Sequence, residues 1–141
     1  MYEYACTIKR VFDGDTVDCD IDLGFSIVLR DQRIRLHGID APESRTRDLV
    51  EKKFGLAAKK FLEIALERTA CLTTHMYKDE RGKYGRILGD FIVYDFEKDS
   101  WGSVNKMMVD RHLAVEYNGQ SKDDIAEAHI KNRELVNEEY L

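Results

Sequence analysis

In the stretch RIRLHGIDAPE, Arg33 to Glu43, the residues Arg35, Asp40 and Glu43 fall within nine positions around Pro42, the single proline of the chain. Proline fixes its own φ and biases the preceding Ala41 toward an extended conformation, so two carboxylates and the backbone carbonyl between them are held at set spacing. Oxygen donors of this kind suit a hard cation such as calcium or magnesium, with water completing the shell. One loop cannot finish such a site. Asp15, in DGDT, adds a third carboxylate if the neighbouring strand ends meet at the same rim. Each piece alone has a plainer reading. Asp-Gly-Asp is also an ordinary turn, and Arg35 with Asp40 and Glu43 is also a surface ion-pair cluster of little energetic weight.

These residues need elements to carry them. Val17, Cys19, Ile21 and Leu23 alternate with Asp18, Asp20 and Asp22, the pattern of a strand with one wet face, which puts the three aspartates in solvent. Asp13-Gly14 between two alternating runs marks a hairpin. After Gly24, FSIVLRDQRIRL reads as a third strand whose apolar phase shifts from Phe25, Ile27 and Leu29 to Ile34 and Leu36. A bulge near Arg30 to Gln32 absorbs the extra residue. Ile34 and Leu36 then point inward and Arg33 and Arg35 outward, with Asp40 and Glu43 where the chain leaves the sheet.

From Leu49 to Arg68, Phe54, Ala57, Ala58, Phe61, Leu62, Ala65 and Leu66 form one helical stripe. CLTTHMY and RILGDFIVYDF return to strand composition around the loop KDERGKYG, and SVNKMMVDRHL is a short helix with Ser103 as N-cap. Ser121 caps a last helix running through KDDIAEAHIKNRELVNEEYL. Three strands, a helix, two strands and two helices make an α+β order. It fits a five-stranded Greek-key OB-fold β-barrel with three α-helices, an architecture often used for oligonucleotides and oligosaccharides.

With 141 residues, the expectation is a single domain over 1–141. Apolar residues at 43% and charged residues at 35% exclude disorder, and the apolar runs are too broken for a membrane span. The opening MYEYACTIKRV alternates like a strand and lacks a signal-peptide core, which leads to an expected cytoplasmic address unless a leader is missing. Cys6, Cys19 and Cys71 have no C-x-x-C spacing and read as free thiols. The four histidines, His37, His75, His112 and His129, show no ligand spacing and read as surface or structural residues. The net charge of −5 opposes polyanion binding. Local basic excess in RDQRIR, RTRDLVEKK and KDERGKYGR can still form one positive face.

Taken together, DGDT, RLHGIDAPE and KYGR resemble, in sequence, order and separation, the staphylococcal nuclease family, the thermonucleases, from about Lys9 to Tyr117. The resemblance implies a calcium-dependent hydrolase, an endonuclease-type phosphodiesterase on an OB barrel, acting on DNA and RNA and leaving 3′-phosphate ends. It implies that Asp15 and Asp40 bind the metal, joined by the Ala41 carbonyl; other divalent ions stay open. Glu43 activates or positions the attacking water, Arg35 and Arg86 grip the phosphate, and Tyr84 lines the nucleotide pocket. Tyr117 falls within one residue of a base-stacking tyrosine of the family.

The chemistry has its own reasons for these groups. A phosphodiester repels hydroxide, and its transition state gathers more negative charge, so a cation and forked guanidinium donors lower the barrier. Three departures stand out: Ala41 replaces a frequent threonine, the hairpin DCDIDLGFSIVLRDQ is longer than in the staphylococcal enzyme, and the chain is acidic. The expected partner is nucleic acid, with no membrane, a monomeric state and no inferable protein partner. The competing reading is a binding module that keeps the barrel and has lost hydrolysis.

Overall fold

A computed structural model describes residues 2–76 and 86–141. Strands β1 (Tyr2–Asp13), β2 (Thr16–Gly24) and β3 (Ile27–Leu36) form a meander. Helix α1 (Leu49–Ala65) follows a two-residue strand β4 (Ile39–Asp40) and ends in a single 3₁₀ turn. Then come β5 (Thr69–Met76), β6 (Ile87–Asp95), the short β7 (Ser100–Ser103), α2 (Val104–Asp110), β8 (Val115–Glu116) and α3 (Lys122–Leu135).

The main sheet runs β3-β2-β1-β5-β6-β7, and a parallel pairing of β3 with β6 (Ile34↔Ile87, Arg35↔Leu88, Leu36↔Gly89) closes five strands into an OB-type barrel. Closure removes the strand edges that an open sheet would leave unpaired. Inside lie Val17, Ile21, Ile34, Leu36, Leu72, Phe91 and Val93, all essentially shielded from water. α1 covers one end with its expected stripe, burying Ala57, Ala58 and Leu62 while Phe54 and Phe61 pack alongside. The Asp48 carboxylate caps it by accepting from the Val50 and Glu51 amides. Ser103 and Ser121 cap α2 and α3 as expected, each accepting an amide three residues on.

The expected bulge is present: Cys19 pairs with Gln32 and Ile21 with Leu29, so Arg30 and Asp31 both oppose Asp20. Asp31 takes a φ of 55° there and donates its amide to the Asp20 carboxylate. The bulge corrects the reading of Asp20 as a solvent-facing residue. Asp20 is buried, accepting that amide and pairing with Lys9 at 3.3 Å. Phe25 is a second correction. Gly24 pairs with Ile27, which leaves Phe25 and Ser26 as the centre of a two-residue turn at positive φ, and Phe25 is 98% exposed. The long hairpin projects past the barrel, so no layer covers its tip. The last helix is also shorter than expected: it stops at Leu135, and residues 138–140 form a separate 3₁₀ turn. No helix among the described residues is long and apolar enough to cross a membrane.

Candidate nucleic-acid hydrolysis site

The Asp13–Thr16 turn, the end of β3 and strand β4 meet at one rim of the barrel. Leu36 donates its amide to the Asp15 carbonyl at 2.8 Å, and Ala41 donates its amide to Asp15 Oδ2 at 2.9 Å. Asp40 belongs to β4, which is only two residues long because its partner β8 is equally short: Ile39 opposes Glu116 and Asp40 opposes Val115. The Tyr117 amide extends that ladder by donating to the Gly38 carbonyl at 2.8 Å.

Small residues on α1 permit this convergence. A Cβ on Gly55 would lie 2.2 Å from the Glu43 carbonyl oxygen, and one on Gly14 would lie 2.9 Å from both the Ala41 and Ala58 methyls. The helix backbone therefore serves as the floor on which the Asp13–Thr16 turn and the Glu43 segment rest. A side chain at Gly55 would push the Glu43 backbone off it.

Arg35 links the acids. Its Nη2 lies 3.4 Å from Asp15 Oδ2 and 3.3 Å from Asp40 Oδ1, while its Nη1 donates to the Leu36 carbonyl at 2.9 Å. Burial pushes the Asp15 carboxyl up, and Arg35 and the Ala41 amide pull against that shift. Glu43 is exposed as a residue, yet its carboxyl is pushed up to about 7, first by partial withdrawal from water, then by the charge of Asp13 and a hydrogen bond to it, and further by Asp15 and Asp40. Four carboxylates thus crowd a rim where Arg35 reaches two of them.

Such crowding of oxygen donors fits a hard cation. Among the described residues no three His, Cys, Asp or Glu side chains form a ligand group by themselves. Asp15 and Asp40 are side chains that could hold such an ion, with a backbone carbonyl such as that of Ala41 and water able to complete its shell. That incomplete protein shell suits an ion whose open positions take up a phosphate.

Of the residues singled out in the sequence, Asp15, Arg35, Asp40, Ala41 and Glu43 come together. Arg86 is half-buried and directly precedes β6, whose first residue Ile87 pairs with Ile34 beside Arg35. Tyr84 lies outside the described residues. Tyr117 is half-buried next to β8, tied by its backbone to the loop that carries Asp40.

Two residues escaped sequence reasoning. Asp13 is buried under the loop, where its Oδ1 accepts from the Ser44 hydroxyl at 2.6 Å and the Gly14 amide at 2.9 Å. Its place in Asp-Gly-Asp signalled a turn and nothing more. His129, on α3, sets its Nε2 2.8 Å from Asp40 Oδ2. Sequence reasoning read it as a surface or structural histidine, and no spacing in the sequence could have announced the contact. A wide cleft of about 650 Å³, lined by Leu56, Phe61, Ile64, Phe96 and Tyr140 among others, opens elsewhere along α1 and contains none of the rim carboxylates.

Residues 33–138 match the family model described as staphylococcal nuclease homologue. The chain belongs to the staphylococcal nuclease family. Within and around that family it is 30% identical over 120 residues to Endonuclease YhcR of Bacillus subtilis strain 168, covering 82% of this chain and 9% of that protein. It is 33% identical over 81 residues to the thermonuclease of Staphylococcus intermedius, covering 57% of this chain and 44% of that protein. A stretch of 64 residues, 45% of this chain and 16% of the other, is 47% identical to an uncharacterized 38.1 kDa protein of Capnoides sempervirens. The chain thus spans less than half the length of each of these relatives. As a staphylococcal nuclease domain, it carries its acid and arginine cluster inside the matched span, except for the Asp13–Thr16 turn, which lies upstream of it.

Proposed function

We propose that this chain is a divalent-cation-dependent nuclease that hydrolyses phosphodiester bonds of DNA, and of RNA as well, with calcium as the working ion and 3′-phosphate ends as products. The observation that carries the reading is the meeting of Asp15 Oδ2 and Asp40 Oδ1 at a single guanidinium nitrogen of Arg35, with the Glu43 carboxyl crowded against the same acids. The kinship to an endonuclease and a thermonuclease supports the same substrate class.

Asp15 and Asp40, with the Ala41 carbonyl, would hold the cation. When bound, a hard cation supplies positive charge beside a phosphoryl oxygen. Arg35, which reaches both aspartates, and Arg86, directly before β6, would direct their forked donors at the phosphate. Both guanidiniums gain strength as charge builds on the equatorial oxygens of the transition state. Glu43, whose carboxyl is pushed up to about 7, accepts a proton from the attacking water or orients it. Tyr84 and Tyr117 line the nucleotide side.

Incubation of the chain with plasmid, single-stranded DNA and RNA under calcium, magnesium and manganese tests this, with Glu43→Gln as control. Cleavage that chelation abolishes and Glu43→Gln cripples is the expected result. Binding without cleavage under every ion would replace the reading with that of a binding module.

A further inference from the structure

Next to the acid cluster, the outer face of β1, β2 and β3 carries a second constellation of the opposite sign. The sheet register places Arg10, Asp18 and Arg33 in one row across the three strands. Asp18 sits between the arginines, taking two hydrogen bonds from Arg33 at 2.8 and 3.1 Å and one from Arg10 at 3.5 Å. Beside this row stands the half-buried ring of Phe12. The Arg33 guanidinium lies 4.1 Å from its centroid, that of Arg45 4.0 Å and that of Arg10 5.1 Å. Three cations thus gather at one ring with a single carboxylate among them.

Arg45 is exposed and makes no ion pair among the described residues. Its position is nevertheless set by the aromatic face, because a guanidinium stacks on a ring in a way an ammonium does not. Like charges held this close repel, and an anion is what relieves them. The cluster is also continuous with the rim. Arg45 follows Glu43 by two residues, and Arg33 precedes Arg35 by two residues on the same face of β3, about 7 Å along the strand. That step is on the order of one nucleotide of an extended single strand.

We infer that the Phe12 ring with Arg10, Arg33 and Arg45 is a binding site for the sugar–phosphate backbone of single-stranded nucleic acid flanking the scissile phosphate. The inference rests on the nuclease reading for its choice of polymer. Phosphates meet the guanidinium edges, and the outer plane of Arg45 offers a surface on which a base stacks. Contacts of this type position a strand without reading its sequence. They also explain how a chain with net charge −5 holds a polyanion: the positive charge is concentrated on one stretch of surface.

The test is fluorescence anisotropy with labelled single-stranded oligonucleotides of about a dozen nucleotides, using the full chain carrying Glu43→Gln so that the probe survives. Adding Arg45→Ala is expected to weaken binding on the order of tenfold and to flatten the dependence of log affinity on log salt by about 0.7. Phe12→Leu, with unchanged thermal unfolding as its folding control, is expected to weaken binding in the same direction, and Arg45→Lys to restore only part of the loss. Arg47→Ala, which removes an equal charge two residues away with no aromatic contact among the described residues, is expected to leave affinity in place. Equal losses from Arg45→Ala and Arg47→Ala, or no loss from Arg45→Ala, would overturn the inference. A chain that cleaves nucleic acid with no Arg45 effect removes this site alone. One that never cleaves but keeps the Arg45 effect removes the nuclease reading and leaves this site in place.

Discussion

His129 Nε2 and Asp40 Oδ2 lie 2.8 Å apart and join α3 to the two-residue strand β4, which brings Asp40 to the acid cluster. Asp40 is thereby held from two sides, its other oxygen 3.3 Å from Arg35. His129 Nδ1 is buried and has no hydrogen-bond partner among the described residues. This favours the tautomer that carries its proton on Nε2, since a bare lone pair costs less to bury than an unmet N–H. A donor aimed at the carboxylate proposed above to hold the cation would fix that carboxylate's orientation. Replacing His129 by alanine is expected to weaken divalent-cation binding by about 10-fold or more, read by isothermal titration calorimetry on the chain without substrate. Glutamine, which keeps a donor, is expected to recover part of the loss. Equal cation affinity in all three proteins would show that the contact orients nothing.

Glu43→Gln keeps size and shape and removes the carboxylate proposed to accept the water's proton or to orient it. Turnover is expected to fall by about 10²–10⁴-fold with an unchanged circular dichroism spectrum. Arg35→Ala and Arg86→Ala are expected to depress turnover by orders of magnitude as well. Full activity in all three variants would refute the assignment of roles.

Gly55→Ala is a structural probe of the same group, since the added methyl would fall 2.2 Å from the Glu43 carbonyl oxygen. Backbone must shift to make room, at a cost of about 1–3 kcal/mol in unfolding free energy. Activity is expected to drop more than stability alone explains, because the backbone that yields belongs to Glu43. Urea denaturation and turnover measured on the same preparation separate the two effects.

Removal of the two aspartate charges is expected to abolish the response to cations. In Asp15→Asn with Asp40→Asn, calcium should no longer raise the midpoint of thermal unfolding, whereas in the parent chain the proposed cation should raise it with concentration by mass action. A calcium-induced rise that survives in the double variant would place the ion elsewhere.

Far from the rim, Arg111 donates to both oxygens of buried Asp95 at 2.9 Å, and hydrogen bonds and charge from Arg111 hold that carboxyl below its usual range despite burial. Between the folded and unfolded values the unfolded chain binds the extra proton, so stability falls as pH falls. The contribution is therefore present above pH of about 4 and is lost as pH drops through the depressed folded value. Asp95→Asn is expected to cost about 3 kcal/mol at neutral pH and to flatten the acid limb of the stability curve. An acid limb of identical slope in parent and variant would contradict this.

The order of strands and helices was legible in the residues, because alternation and helical periodicity report locally which side of each element meets water. Asp15, Arg35, Asp40 and Glu43 were legible for a related reason: charged residues beside Pro42 and in an Asp-Gly-Asp turn stand where strands leave a sheet. The phase shift that predicted a bulge at Arg30 to Gln32 was read in the same way. Asp20 was misjudged because the bulge brings the Asp31 amide onto it, a pairing that alternation along β2 does not contain.

What the sequence determined by itself was thus the set of elements and the inventory of acids and arginines at their ends. Tertiary structure alone decided the partnerships: His129 on Asp40 across 89 residues, Asp13 under Ser44, and three arginines around Phe12. The physical reason is that a side chain's own periodicity says whether it is wet or dry. What it touches depends on strand register and on how closely another element can approach, as the bare backbone of Gly55 lets α1 approach Glu43.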